Sequence, residues 1–254
     1  MEKGAITQYI DVAQIVLYMF WAFFAGLIYY LLRENHREGY PLDPGRENGP
    51  RTEGWPPVPS PKTFRTMDGH TYEAPNLERP DGQYHGTPAH PFNGAPLEPV
   101  GDPLLAGVGP GAWAMRADRP DADMHGQPKI VPLRVAPDHG VARQDVDPRG
   151  LPVYGADQQV AGKVADLWID RMEMMFRYLE VELADSGRRV LLPMTFSRIK
   201  RDGVRVHALL AHQFVNVPAT RHPEQITLLE EEKVTAYYGA GTLYATPDRQ
   251  EPLL

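Results

Sequence analysis

The sequence predicts a single transmembrane α-helix followed by a mainly β body, a small antiparallel barrel with a C-terminal helix. Three observations carry this: an uncharged apolar run from Val12 to Leu32, a series of short β-rich runs after Gly150, and a helix-start pattern at Thr227–Glu230.

The apolar run reads VAQIVLYMFWAFFAGLIYYLL, with Gln14 its only strongly polar residue. At about 1.5 Å per residue it covers roughly 30 Å, the hydrocarbon thickness of a bilayer. The core helix of a soluble protein keeps a polar face, and this run is apolar all round. Tyr9, Tyr29 and Tyr30 stand near its ends, where aromatic rings favour the headgroup zone. A cleaved signal peptide would carry an apolar stretch of about 7–15 residues and a small-residue cleavage site. This run is longer and stops at Arg33-Glu34-Asn35, so we read it as a retained anchor. Lys3 is the only basic residue on the N-terminal flank, against Arg33, Arg37, Arg46 and Arg51 on the other. Positive charge stays inside, so residues 1–11 are expected outside and the body in the cytoplasm.

About 220 residues remain for that body, enough for one or two domains. The chain has no cysteine, which excludes disulfides, iron–sulfur centres and thioether-linked haem. A formal charge of −7, with no basic stripe, speaks against a nucleic-acid partner.

Residues 33–120 are expected to be an extended segment. Between Pro41 and Pro120 lie 16 of the 26 prolines and 11 glycines, which by composition alone indicates disorder. Yet Trp55, Phe64, Tyr72, Tyr84, Phe92 and Trp113 are spread through it, and disordered linkers are poor in aromatics. The alternatives are a plain linker and a segment ordered by lying on another surface; the aromatics favour the second. Lys62–Met67 and Thr71–Glu73 are candidate short strands, and no long helix is expected.

Residues 121–254 are expected to hold the barrel. Leu151–Tyr154, Val160–Asp170, Phe176–Leu183, Arg189–Pro193 and Val204–Leu209 are rich in β-branched and aromatic residues. Asp185-Ser186-Gly187 and Asp202-Gly203 separate them as turns. In Phe176–Leu183 the apolar Leu179, Val181 and Leu183 alternate with Glu180 and Glu182, predicting one buried face and one wet face. Five or six such strands closing on themselves make a small barrel. Thr227 and Glu230 fit a capping box, and the helix they start is expected to reach about Tyr238 before Gly239 and Gly241 stop it.

Nucleophile elbows, phosphate loops and zinc-protease motifs are absent. Gly107-Val108-Gly109-Pro110-Gly111 follows no predicted strand and reads as a turn. Asp145–Gly150 imitates the start of a calcium loop, but the twelfth position is Ala156 where a bidentate Glu is required. Two acidic groupings remain. Asp121, Asp123 and His125 occupy one proline-flanked loop; the plain account is a solvated surface cluster. Asp166, Asp170 and Glu173 lead into a hairpin whose next strand begins near Arg177. The plain account there is a surface salt bridge; the functional one is a proton relay, because interacting carboxylates have spread-out apparent pKa values.

Many segments in one order carry a resemblance that covers the whole chain. They include GLIYYLLREN, REGYPLD (Arg37–Asp43), PKTF (Pro61–Phe64), GDPLLAGVGPGAW (Gly101–Trp113), PKIVPLRVA (Pro128–Ala136), VAGKVADLWIDR, RYLEVEL and ITLLEEEKVTAYYGAG. The chain resembles the H subunit of the photosynthetic reaction centre of purple bacteria. The resemblance implies a PRC-type barrel in a cytoplasmic domain and an intracytoplasmic (chromatophore) membrane location. It implies L and M subunits as partners, with a light-harvesting antenna ring, a cytochrome donor and membrane lipids as further neighbours. It also implies a complex carrying bacteriochlorophyll, bacteriopheophytin, quinones, non-haem iron and carotenoid, none of them bound by this chain, which would be an accessory subunit and not an enzyme.

Carried over residue by residue, the family's proton relay falls on Asp170 and Glu173, with Arg177 as the neighbouring cation. Its surface entry is an Asp-x-His-x-His arrangement that can also capture metal. Here Asp123 and His125 match while Gln127 replaces the second histidine, so entry is expected and a metal site is not. Tyr30, Arg33, Arg37 and Tyr40 are expected at lipid headgroups. A different class stays open: a membrane-anchored barrel that scaffolds an unrelated assembly.

Overall fold

The structure is a computed structural model and describes residues 11–40, 54–67, 69–76, 84–92 and 95–250. Lys3, Tyr9, Arg46, Arg51 and the end of the REGYPLD run lie outside the described residues. The chain divides into two compact units, with the main boundary near residue 80.

In the first unit, α1 spans Val12–Arg37, about 39 Å at 1.5 Å per residue. Asp11 caps it, its carboxylate accepting from the Gln14 N–H at 2.7 Å. Large side chains such as Phe23 and Met19 are about two-thirds exposed, an apolar surface that water does not favour and hydrocarbon does. Among the described residues this is the one helix long and apolar enough to cross a membrane. The helix runs five residues beyond the predicted end at Leu32, because Arg37 anchors its last turn. β1 (Lys62–Arg65) and β2 (Thr71–Ala74) form an antiparallel hairpin, with Phe64 stacked on its register partner Tyr72 at 5.2 Å.

The second unit takes in residues 95–120, which the sequence assigns to the extended segment. The correction has a specific cause. Leu104, Ala106 and Val108 are buried, and these few apolar anchors are hidden among prolines and glycines. β3 (Gly86–Pro88) pairs with β4 (Leu97–Pro99), a hairpin too short to leave a sequence signal.

The main sheet has seven strands: β5 (Ile130–Pro132), β6 (Pro152–Tyr154), β7 (Val160–Asp170), β8 (Met175–Leu183), β9 (Arg189–Pro193), β10 (Ser197–Lys200) and β11 (Gly203–Val206). The order is β10-β11-β6-β7-β8-β9, with β5 pairing β7 as well. All pairings are antiparallel except β11 with β6, which is parallel; the all-antiparallel expectation fails there because the chain from β7 to β10 supplies the long crossover that a parallel pair requires. β7 is the hub. A bulge between Val164 and Asp166 shifts its register against β8 and brings Asp166 opposite Glu180, breaking the simple alternation.

α2 spans Leu228–Tyr244. Its capping box is formed: the Glu230 N–H donates to Thr227 Oγ1 at 3.1 Å, and the Thr227 N–H donates to Glu230 Oε2 at 2.9 Å. The helix does not stop at Gly239 and Gly241. Both are helical because backbone crowds them: a Cβ on Gly239 would lie 2.4 Å from the Pro110 carbonyl oxygen, and one on Gly241 the same distance from that of Ala208. Close approach, not helix termination, requires glycine here. Tyr238 and Phe214 fill the space between α2 and the sheet.

Candidate functional site

The β7–β8 hairpin carries Asp170 at the end of β7, Glu173 in the turn and Arg177 in β8. Asp170 ends β7 and is 5% exposed. Its Oδ1 accepts from the Met172 and Glu173 N–H groups at 2.9 and 3.0 Å, so the carboxylate holds the turn in shape. Met174 closes the turn at φ +54°, a left-handed conformation that costs a non-glycine residue about 1 kcal/mol. Glu173 Oε2 lies 3.4 Å from Arg177 Nη1, with both side chains open to solvent. Such a pair contributes less than about 1 kcal/mol to stability and leaves the carboxylate accessible to water.

The loop carrying Asp123 and His125 is folded on itself. Asp123 Oδ1 accepts from the His125 and Gln127 N–H groups at 2.8 and 2.9 Å. These backbone donors, Gln127 first, hold its carboxyl below the usual range. The loop then runs through Lys129 into β5, whose Ile130 is the register partner of Asp170. Two further ties come from Arg171: its N–H donates to the Lys129 carbonyl at 3.0 Å, and its guanidinium to the Pro128 carbonyl. Lys129 Nζ sits 2.7 Å from Asp121; that hydrogen bond raises the lysine's pKa, with Asp170 and Glu173 adding at longer range. The two acidic groupings, separate in sequence, therefore lie side by side on one rim of the domain.

Asp166 does not join them. It lies against Arg134 at 3.2 Å, and Arg134 also meets Glu180 at 2.5 Å. Glu180 is 4% exposed, which corrects its assignment to the wet face. It accepts from Trp168 Nε1 and from Arg189 Nη1, each at 3.2 Å. The signal is absent locally, since Arg134 reaches it from a distant segment.

Sequence reasoning also missed Glu231 in the first turn of α2. Tyr178 donates its hydroxyl to Glu231 Oε2 at 2.9 Å. Burial pushes the Glu231 carboxyl up, while the Tyr178 hydrogen bond and the Arg177 and Arg116 charges pull the other way. Burial pushes the Tyr178 phenol far up as well. Arg177 thus pairs with Glu173 and adds longer-range attraction at Glu231.

At the α1 exit, Tyr30 and Tyr40 are exposed and Arg33 is half-buried. Arg37 departs from expectation. It is 4% exposed, with Nε on Glu34 at 2.7 Å and Nη1 on the Ser60 and Ala74 carbonyls at 2.7 and 3.1 Å. Its donors are committed to Glu34 and to the Ser60 and Ala74 carbonyls, not to a headgroup. Among the described residues no group of three or more metal-ligating side chains is assembled.

Comparison with known families gives two matches. Residues 4–135, more than half of the chain, match the model for the N-terminal region of the photosynthetic reaction centre H-chain. Residues 141–213 match the PRC-barrel domain, the stretch that holds β6 to β11. With an apolar N-terminal helix, a barrel-type sheet and an acidic rim in one chain, the protein belongs to the H-chain family of photosynthetic reaction centres.

Proposed function

We propose that this subunit stabilises the L and M subunits and conducts protons from the cytoplasm towards the secondary quinone of the complex. In this reading α1 crosses the membrane with the N-terminus outside and the β body in the cytoplasm, and the antenna ring and a cytochrome donor adjoin the complex. Protons enter at Asp123 and His125 and pass to Asp170 and Glu173. Arg177 keeps the negative charge of the relay tolerable between proton arrivals. The bacteriochlorophyll, bacteriopheophytin, quinones, non-haem iron and carotenoid belong to the partners and supply the redox chemistry; this chain supplies positioned acids. Tyr30, Arg33 and Tyr40 meet lipid headgroups.

One observation carries the proton reading: the pairing of Ile130 with Asp170 joins an exposed acid–imidazole loop to a half-sheltered carboxylate turn. A competing account also has support, since Asp170 caps its own turn and Glu173 pairs with Arg177 in solvent. Flash-induced proton uptake, followed with a pH-indicator dye in the purified complex, separates the two. The double change Asp123→Asn, His125→Ala is expected to slow uptake several-fold and leave the primary charge separation untouched. Unchanged uptake would favour the purely structural account.

A further inference from the structure

A second feature of the β body lies away from the acidic rim. A cleft of about 540 Å³ opens beside β10, β11 and the end of α2, and its walls include Arg198, Arg205, His207 and Arg249 with the hydroxyls of Ser197 and Thr242. Among the described residues no carboxylate lines it. Arg198 and Arg205 are register partners on adjacent antiparallel strands, so their side chains leave the same face directly opposite one another. Like charges in that relation destabilise a sheet, and nothing in the strand pattern requires them, because the neighbouring Ile199, Val204 and Val206 already supply the inner face.

The charge is only partly compensated. Arg205 lies over the Tyr154 ring at 3.9 Å and pairs with the exposed Asp202 at 2.8 Å. Its Nη1 is buried with no acceptor among the described residues. Arg249 Nη1 donates to the Ala208 and Gly241 carbonyls at 3.0 and 2.6 Å, which fixes the guanidinium without neutralising it. Among the described residues no carboxylate pairs with Arg198 or Arg249. Guanidinium groups whose charge is not fully neutralised, with hydroxyls beside them, fit the tetrahedral oxygens of a phosphate.

We propose that this cleft binds a phosphate-bearing anion, with Arg198 and Arg205 as the paired cations and Arg249 as the third. The phosphate can be a free cytoplasmic ion or a lipid headgroup, and the same measurement distinguishes them. Delipidated complex in nonionic detergent is titrated with inorganic phosphate against chloride at matched ionic strength, and the ³¹P line width is followed. The unaltered complex is expected to broaden the line saturably. Arg198→Glu, which turns the repulsive pair into an attractive one, is expected to weaken binding at least tenfold, and Arg198→Lys to retain most of it. The titration is repeated in phosphatidylcholine vesicles with and without phosphatidylglycerol. Loss of broadening only when the anionic lipid is present identifies a headgroup as occupant; equal broadening identifies the soluble ion. No broadening beyond that of Arg198→Glu, or equal broadening in all three proteins, overturns the proposal.

Discussion

Replacing Glu180 with Leu removes the one carboxylate that Trp168, Arg134 and Arg189 share. Trp168 is 1% exposed, so its indole N–H loses its acceptor in a dry site, at a cost of about 1–3 kcal/mol. Arg134 keeps Asp166 at 3.2 Å. The Arg134 and Arg189 side chains are 31% and 52% exposed, so water screens much of the lost attraction. The ~3–5 kcal/mol for breaking a fully buried pair is therefore an upper limit. The new apolar side chain returns roughly 1 kcal/mol through burial. A net loss of about 2 kcal/mol is expected for Glu180→Leu, and of about 1 kcal/mol or less for Glu180→Gln, which keeps an acceptor for Trp168. Urea titration of the full chain in detergent, followed by tryptophan fluorescence and far-ultraviolet circular dichroism, gives both values. Glu180→Leu within about 0.5 kcal/mol of the unaltered chain would refute the reasoning, as would equal losses for Leu and Gln.

Two further outcomes follow from packing and burial. Gly239→Ala would gain about 1 kcal/mol from helix propensity, but its methyl meets the Pro110 carbonyl at 2.4 Å, so the same titration should give a net loss of about 1–2 kcal/mol; stabilisation would contradict the close-approach account. Glu231→Gln tests the buried carboxyl through pH. Burial raises its folded-state pKa, so its contribution is fully present in acid and is lost as pH rises from about 4.3 through the raised value. Relative to the unaltered chain, the Gln variant should gain stability across that window and then level off. A relative loss over the same window would reverse the sign and the assignment.

The anchor, five of the seven main strands and the start of α2 were legible because each is a local pattern: an uncharged run, β-rich stretches between turn residues, and Thr227 with Glu230 three residues on. What was hidden depends on partners distant in sequence. The burial of Glu180 needs Arg134 and the bulge before Asp166. The helical role of Gly239 and Gly241 needs the carbonyls of Pro110 and Ala208. Arg37 looks like a headgroup contact until the Ser60 and Ala74 carbonyls fold against it. At the rim, Asp123, His125, Asp170, Glu173 and Arg177 stood out as members of two acidic groupings, and the resemblance supplied their expected roles. Their adjacency rests on β5, whose pairing partner Val160–Asp170 lies about 30 residues on, and Glu231 gave no signal beyond its place in an acidic first turn.

The central claim is that the rim passes protons inward, and Glu173 is the residue on which it turns. Glu173→Gln keeps the shape and hydrogen bonding of the side chain and removes its titration. Flash kinetics on the purified complex at neutral pH separate the first electron transfer to the secondary quinone from the second, which is coupled to protonation. The account predicts that Glu173→Gln slows the second transfer tenfold or more, on the order of 1.4 kcal/mol of barrier, and changes the first much less. Equal slowing of both transfers, or of neither, would contradict it.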